Sequence, residues 1–154
     1  MLGKEKKNLI YIGSDHGGYV AKGPLKEHLE EKGFDVTDLG CFDEESCDYP
    51  EYAREVGEKV LEHKGAKGIL ICGSGVGMSM AANKMRGIRA VLASDEYLAE
   101  MARRHNDANV IAMGARHQGV EEMKKIVDVF LSTDFEEDKK RYARRVEAMD
   151  GISK

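Results

Sequence analysis

Five times along the chain, a short apolar run closed by a turn is followed by a longer stretch with helical spacing. Strands joined through helices run parallel, and the crossover helices cover both faces of the sheet. The alternation therefore predicts a doubly wound parallel sheet of five strands in a three-layer α/β/α sandwich. In open sheets of this kind, ligands bind outside the carboxyl ends of the strands. The turns that close the apolar runs are thus the places to look for chemistry.

The first run, Leu9-Ile10-Tyr11-Ile12, stops at Gly13-Ser14-Asp15-His16-Gly17-Gly18 and leads into an amphipathic stretch from Tyr19 to Lys32. Gly33 closes that helix, and Asp35 to Leu39 reads as a more polar strand nearer a sheet edge. After a loop to Pro50, helical spacing runs from Glu51 to His63 and Gly65 ends it. Gly68-Ile69-Leu70-Ile71-Cys72 is the most strand-like run and should be central. The segment Gly73-Ser74-Gly75-Val76-Gly77 then opens a helix through Met85, and Ile88 to Ala93 forms the fourth strand. Asp95 can cap a helix ending near Arg104, and Val110 to Met113 is the fifth strand. Two helices follow, about Val120 to Leu131 and about Glu136 to Met149.

With 154 residues the chain fits one domain. We read residues 1–8 as a flexible leader and 9–150 as the folded unit. Lys plus Arg number 24 against 28 Asp plus Glu, a net charge of −4, so nothing in the overall balance points to nucleic acid or an anionic membrane. No apolar run nears the ~18 residues of a membrane span. Cys41, Cys47 and Cys72 cannot pair completely and lack zinc-ligand spacing, which suits a reduced, cytoplasmic protein.

The strongest local signal is Cys72-Gly73-Ser74-Gly75-Val76-Gly77. Alternating glycines between a buried strand and a helix expose successive N–H groups and let a ligand approach the main chain. The segment lacks a Gly-Lys-Ser/Thr ending, and Met78 stands where the last glycine of a dinucleotide fingerprint belongs, which disfavours nucleotide binding. A thiol beside a helix N-terminus can serve as base or nucleophile, whereas a cysteine that merely ends an apolar strand is a packing residue. Asp15 and His16 share the same rim. His105 lies in a loop, where most histidines are solvated but one can carry protons. On the last helix Arg141 and Arg145 share a face that suits a phosphate, or belong to a solvated charged helix. Met78, Met80, Met85 and Met123 read as core.

In order, Ser14-Asp15-His16-Gly17-Gly18, Asp48-Tyr49-Pro50, Gly68 to Gly77, Ala81-Ala82-Asn83-Lys84, Gly87-Ile88-Arg89-Ala90 and Arg104 to Val110 closely resemble the ribose-5-phosphate isomerase B family, which also includes allose- and galactose-6-phosphate isomerases. The resemblance spans about residues 8 to 149. It implies a Rossmann-like fold, a homodimer or dimer of dimers with active sites shared between subunits, and no metal or organic cofactor. It also implies aldose–ketose isomerisation of ribose 5-phosphate to ribulose 5-phosphate through a cis-enediolate. On that resemblance Cys72 is the base, and the N–H groups of Gly73, Ser74, Gly75, Val76 and Gly77 stabilise the enediolate oxygen. Ser74 relays a proton between the sugar oxygens. His105, with Asp15 and Tyr49, opens the furanose ring, and Asn106 holds a sugar hydroxyl. His16 and Arg116, joined by Arg141 and Arg145 of the partner subunit, bind the phosphate. The chain departs from one branch of the family at Met78, where that branch carries a glutamate base, and from many relatives at Tyr142, where they carry histidine; the charged segment Glu136 to Lys140 replaces their Gly-Gly lead-in. The same apparatus would serve a six-carbon aldose 6-phosphate, and the fold alone would also suit a non-catalytic sugar-phosphate-binding protein.

Overall fold

The structure, a computed structural model, describes residues 8–153, so the leader read at residues 1–8 lies, Asn8 apart, outside the described residues. The order is β1 (Leu9–Ser14), α1 (Tyr19–Glu31), β2 (Asp35–Asp38), α2 (Tyr49–Glu62), β3 (Lys67–Cys72), α3 (Val76–Ala82), β4 (Ala90–Leu92), α4 (Glu96–Asn106), β5 (Val110–Gly114), α5 (Val120–Ser132) and α6 (Lys140–Asp150). The five strands form one parallel sheet in the order β2-β1-β3-β5-β4, with β3 at its centre and the polar β2 at one edge.

Alternation along the strands sorts side chains to two faces. Ile10, Ile12, Ile69, Ile71, Ile111 and Met113 point toward α1, α4 and α5, where Leu25, Leu29, Ala99, Met123 and Phe130 complete one core. Tyr11, Leu70, Cys72, Val110 and Ala112 point the other way, against Ala53, Val56 and Val60 of α2 and Met78 and Ala82 of α3. Close seating of α2 depends on Gly68, where an added Cβ would stand 2.7 Å from Val56 Cγ1 and 3.1 Å from Val110 Cγ2. Helix α6 stands outside both cores and packs on α4.

Several boundaries differ from the sequence reading for identifiable reasons. Helix α2 starts at Tyr49 because Pro50 sits in its first turn, where a missing N–H costs nothing. Helix α3 ends at Ala82 in a run of tight turns rather than at Met85. Helix α4 continues to Asn106 and stops at Asp107, which takes a left-handed conformation at φ 48°. At its other end Asp95 Oδ1 accepts from Leu98 N–H at 2.8 Å, the expected cap. Helix α6 starts at Lys140, four residues late, because Glu136 is held by Arg104 at 2.7 Å and by Lys139 at 2.8 Å. Met80, read as core, is 64% exposed on the outer side of α3.

The chain moves outward from β1 to β2 and then returns to β3 on the opposite side of β1, so the order reverses between β1 and β3. At that switch point the strand ends separate and leave a crevice. Register brings Ser14 level with Ile71 and Cys72 level with Gly114, so Asp15, Gly73 and Ala115 leave the sheet side by side. Under this rim, buried Lys22 of α1 reaches across to Asp38 at 2.8 Å and donates to the Cys41 carbonyl, fixing the segment that leads to Tyr49.

Candidate active site

A cleft of about 290 Å³ opens at the switch point, lined by Asp15, Tyr49, Cys72, Gly73, Ser74, Gly77, Arg116 and His117. Cys72 is the last residue of β3; it belongs to the core beneath α2 and α3 and also reaches the cleft floor. Gly75 N–H donates to its Sγ at 3.0 Å, and Val76 N–H donates to Ser74 Oγ at 3.2 Å. Two of the five loop amides read as oxyanion donors thus orient the thiol and the hydroxyl. The turn depends on Gly75, whose φ of 82° suits glycine and whose missing Cβ leaves room for the Met113 carbonyl.

Asp15 is buried, and its Oδ1 accepts from Gly17 N–H at 2.8 Å and Gly18 N–H at 3.2 Å, which pins the carboxylate at the cleft wall. The Tyr49 ring lies against Gly77, where a Cβ would come within 2.7 Å of ring carbon Cζ. Arg116 lays its guanidinium over Gly73, where a Cβ would be 3.1 Å from Nε and Cζ. The glycines therefore bring a phenol and a guanidinium down onto the main chain around the thiol. Val76 is exposed at the start of α3, and its side chain is not among the cleft walls.

His16 stands beside the cleft. Its Nδ1 accepts from Cys47 N–H at 3.3 Å, so the neutral ring carries its proton on Nε2. His117 lines the cleft and escaped the sequence reading, although it follows Arg116 directly. A carbonyl can only accept, so its Nε2–H donates to the Ser74 carbonyl at 3.2 Å and tethers the glycine loop to the β5 turn. Buried Gln118 fixes the same turn: Gly114 N–H donates to its Oε1 at 2.8 Å, and its Nε2 donates to the Ala93 carbonyl at 3.0 Å.

The other residues read from the sequence gather elsewhere. His105 and Asn106 end α4, which runs back from the carboxyl rim to the opposite edge of the sheet, where β5 begins. Asn106 borders a cavity of about 500 Å³ with Arg89, Leu92 and Met149. His105 stacks on Tyr142 with ring centroids 4.4 Å apart, and Arg141 and Arg145 belong to the same α6. Within one chain, then, His105 does not stand beside Asp15 and Tyr49, because α4 carries it to the far edge. The cleft holds one group and the α4/α6 edge holds another. Among the described residues no three His, Cys, Asp or Glu side chains gather as metal ligands.

A thiol, carboxylate, phenol and guanidinium around a glycine loop at the switch point of a parallel sheet define an enzyme site for a small anionic substrate. Residues 10–149 match the family described as Ribose/Galactose Isomerase. Ribose-5-phosphate isomerase B of Escherichia coli K12 is 46% identical over 143 residues, covering 93% of this chain and 95% of the relative. A probable ribose-5-phosphate isomerase B of Mycoplasma pneumoniae is 44% identical, covering 89% and 90%. Among solved structures, the ribose 5-phosphate isomerase of Thermotoga maritima superimposes with a TM-score of 0.88 at 45% identity, covering 93% of this chain and 97% of the other. Ribose-5-phosphate isomerase B of Clostridium thermocellum gives 0.87 at 43%, covering 94% and 96%. The chain belongs to the ribose/galactose isomerase family, and its chemistry is that of a sugar isomerase.

Proposed function

We propose that this protein interconverts ribose 5-phosphate and ribulose 5-phosphate through a cis-enediolate, with Cys72 as the base. The observation that carries this reading is the Gly75 N–H on Cys72 Sγ, in a cleft shared with Asp15, Tyr49, Ser74 and Arg116. In the forward direction the furanose opens first: Asp15 and Tyr49, with His105, take the proton from the anomeric hydroxyl and give one to the ring oxygen. Cys72 then removes the C2 proton of the open aldehyde. Negative charge moves onto the carbonyl oxygen, where the N–H groups of Gly73, Ser74 and Gly77 receive it. Ser74 passes the O2 proton to O1, and the Cys72 thiol returns its proton to C1. The product carries a ketone at C2 and a hydroxymethyl at C1.

The phosphate binds on Arg116, with His16 at its side. Arg141 and Arg145 complete that grip from a second copy of the chain, which also brings His105 and Asn106 to the cleft. Supporting a homodimer or a dimer of dimers, Val76, Met80, Leu92, Tyr97 and Leu98 stand exposed on elements next to the glycine loop, with Tyr97 66% exposed. Isolated apolar side chains are ordinary, but a group beside a half-complete site favours association. Residues 9–150 form the catalytic domain. No helix among the described residues is long and apolar enough to cross a membrane. All three cysteines are free thiols, which supports the cytoplasm as location.

The test is a continuous assay of ribulose 5-phosphate formation from ribose 5-phosphate in the presence of EDTA, with allose 6-phosphate run beside it. Metal-independent turnover of the pentose supports the proposal. Turnover of the hexose alone assigns the six-carbon substrate instead. Binding of both sugars without turnover makes the protein a sugar-phosphate sensor.

A further inference from the structure

The contacts of Tyr142 point to a role that packing alone does not require. It lies near the start of α6 and is 8% exposed. Its ring stacks on the His105 imidazole, with centroids 4.4 Å apart and planes 28° from parallel. Its hydroxyl accepts from Arg141 Nη2 at 3.0 Å, and the Arg141 guanidinium carbon stands 4.9 Å from the ring centroid. One side chain therefore touches a group assigned to ring opening and a group assigned to the phosphate. Its own position is fixed from behind: its N–H donates to the Lys139 carbonyl at 2.9 Å, and Lys139 is paired with Glu136, which in turn holds Arg104 beside His105.

The physical consequences separate cleanly. Arg141 is an exposed, rotamer-rich side chain, and ordering it on binding costs entropy. A hydroxyl acceptor below the guanidinium orders it beforehand and engages one N–H, leaving the others of the fork for a phosphate. The ring acts differently. Stacking fixes the plane of the His105 imidazole, and a proton carrier works only when its nitrogen is aimed at the proton. A tyrosine needed only for burial would serve equally well as phenylalanine.

We propose that Tyr142 is a positioning residue that sets the His105 imidazole and the Arg141 guanidinium in one fixed geometry, so that the two groups arrive at the substrate together. The proposal rests on the reading of those two residues given under Proposed function. It assigns the hydroxyl to substrate affinity and the ring to turnover.

Two variants separate these roles. In Tyr142→Phe the ring remains and the hydroxyl is lost: KM for ribose 5-phosphate and the dissociation constant of inorganic phosphate, read by calorimetry, should both rise about threefold to tenfold, while kcat stays within twofold. In Tyr142→Leu the ring is lost too, and kcat should fall at least about tenfold. Phenylalanine thus rescues kcat without rescuing KM, a split that a purely structural role would not produce. Unchanged KM and phosphate affinity in Tyr142→Phe would overturn the proposal. So would losses in Tyr142→Leu that track only the fraction of folded protein, read by circular dichroism. If the unaltered protein fails to turn over ribose 5-phosphate, the substrate assignment falls, and the phosphate dissociation constants still decide whether the hydroxyl positions Arg141.

Discussion

Replacing Gly75 with alanine tests whether the glycine loop holds the base or merely connects two elements. Gly75 has φ 82°, and an added Cβ would stand 2.8 Å from the Met113 carbonyl carbon, 3.0 Å from its oxygen and 2.7 Å from Leu92 Cδ1. The Leu92 methyl can swing aside, but the backbone of the buried β5 cannot, so the loop itself must move. The left-handed conformation costs an L residue about 1–2 kcal/mol, and relieving the overlap adds about 1–2 kcal/mol. In a protein of this size a loss of about 3 kcal/mol lowers Tm by roughly 10 °C. Displacement also breaks the 3.0 Å bond from Gly75 N–H to Cys72 Sγ. A hydrogen bond to a charged partner is worth about 1.5–3 kcal/mol, so kcat should fall about tenfold to hundredfold in protein that is still folded. The assay is kcat at 25 °C alongside a thermal melt. A variant that melts lower but keeps full kcat would refute the proposed tie between loop geometry and base; one that keeps both would refute the conformational argument as well.

Other consequences are equally direct. Lys22→Met should cost about 2–3 kcal/mol in a urea melt, because it strands Asp38 and the Cys41 carbonyl beneath the rim; loss of less than about 0.5 kcal/mol would count against the buried strut. Lys139 and then Arg104 hold the Glu136 carboxyl down at about 2 from its usual 4.5. A carboxylate depressed on folding stabilises fully above its unfolded value and loses that contribution as pH falls toward the folded one. The melting-temperature gap between the native chain and Glu136→Gln should thus be widest above pH 4.5 and close on approach to pH 2; a gap that does not vary with pH would refute it. Arg116→Lys keeps the charge over Gly73 but loses the planar fork, so KM should rise about tenfold with kcat little changed; an unchanged KM would remove Arg116 from the phosphate grip.

The sheet was readable because each strand is a compact apolar run and each crossover has helical spacing. The central place of β3 followed from Gly68 to Cys72, and the edge place of β2 from its polar alternation. What sequence spacing missed was set by distant partners. Glu136 has good local credentials as a helix start, but Arg104, far back in the chain, captures it and delays α6. Met80 follows the spacing of a core residue and yet faces outward, because α3 is only a short helix lying across one face. At the site, Asp15, Cys72, Ser74 and Arg116 could be placed on one rim because strand ends converge there. His117 gave no signal, since its contact with the Ser74 carbonyl depends on how two loops meet. Separation of His105 from the cleft follows from the direction of α4, which carries any residue at its end to the opposite edge of the sheet.

The central claim is that Cys72 moves the proton, and the most direct measurement is kcat for ribose 5-phosphate in Cys72→Ala, with the inorganic phosphate dissociation constant measured on the same protein. The account predicts a fall in kcat of about 100-fold to 10,000-fold, with phosphate affinity within twofold of the native chain. Turnover within about fivefold of native would contradict it and move the base to another residue of the cleft.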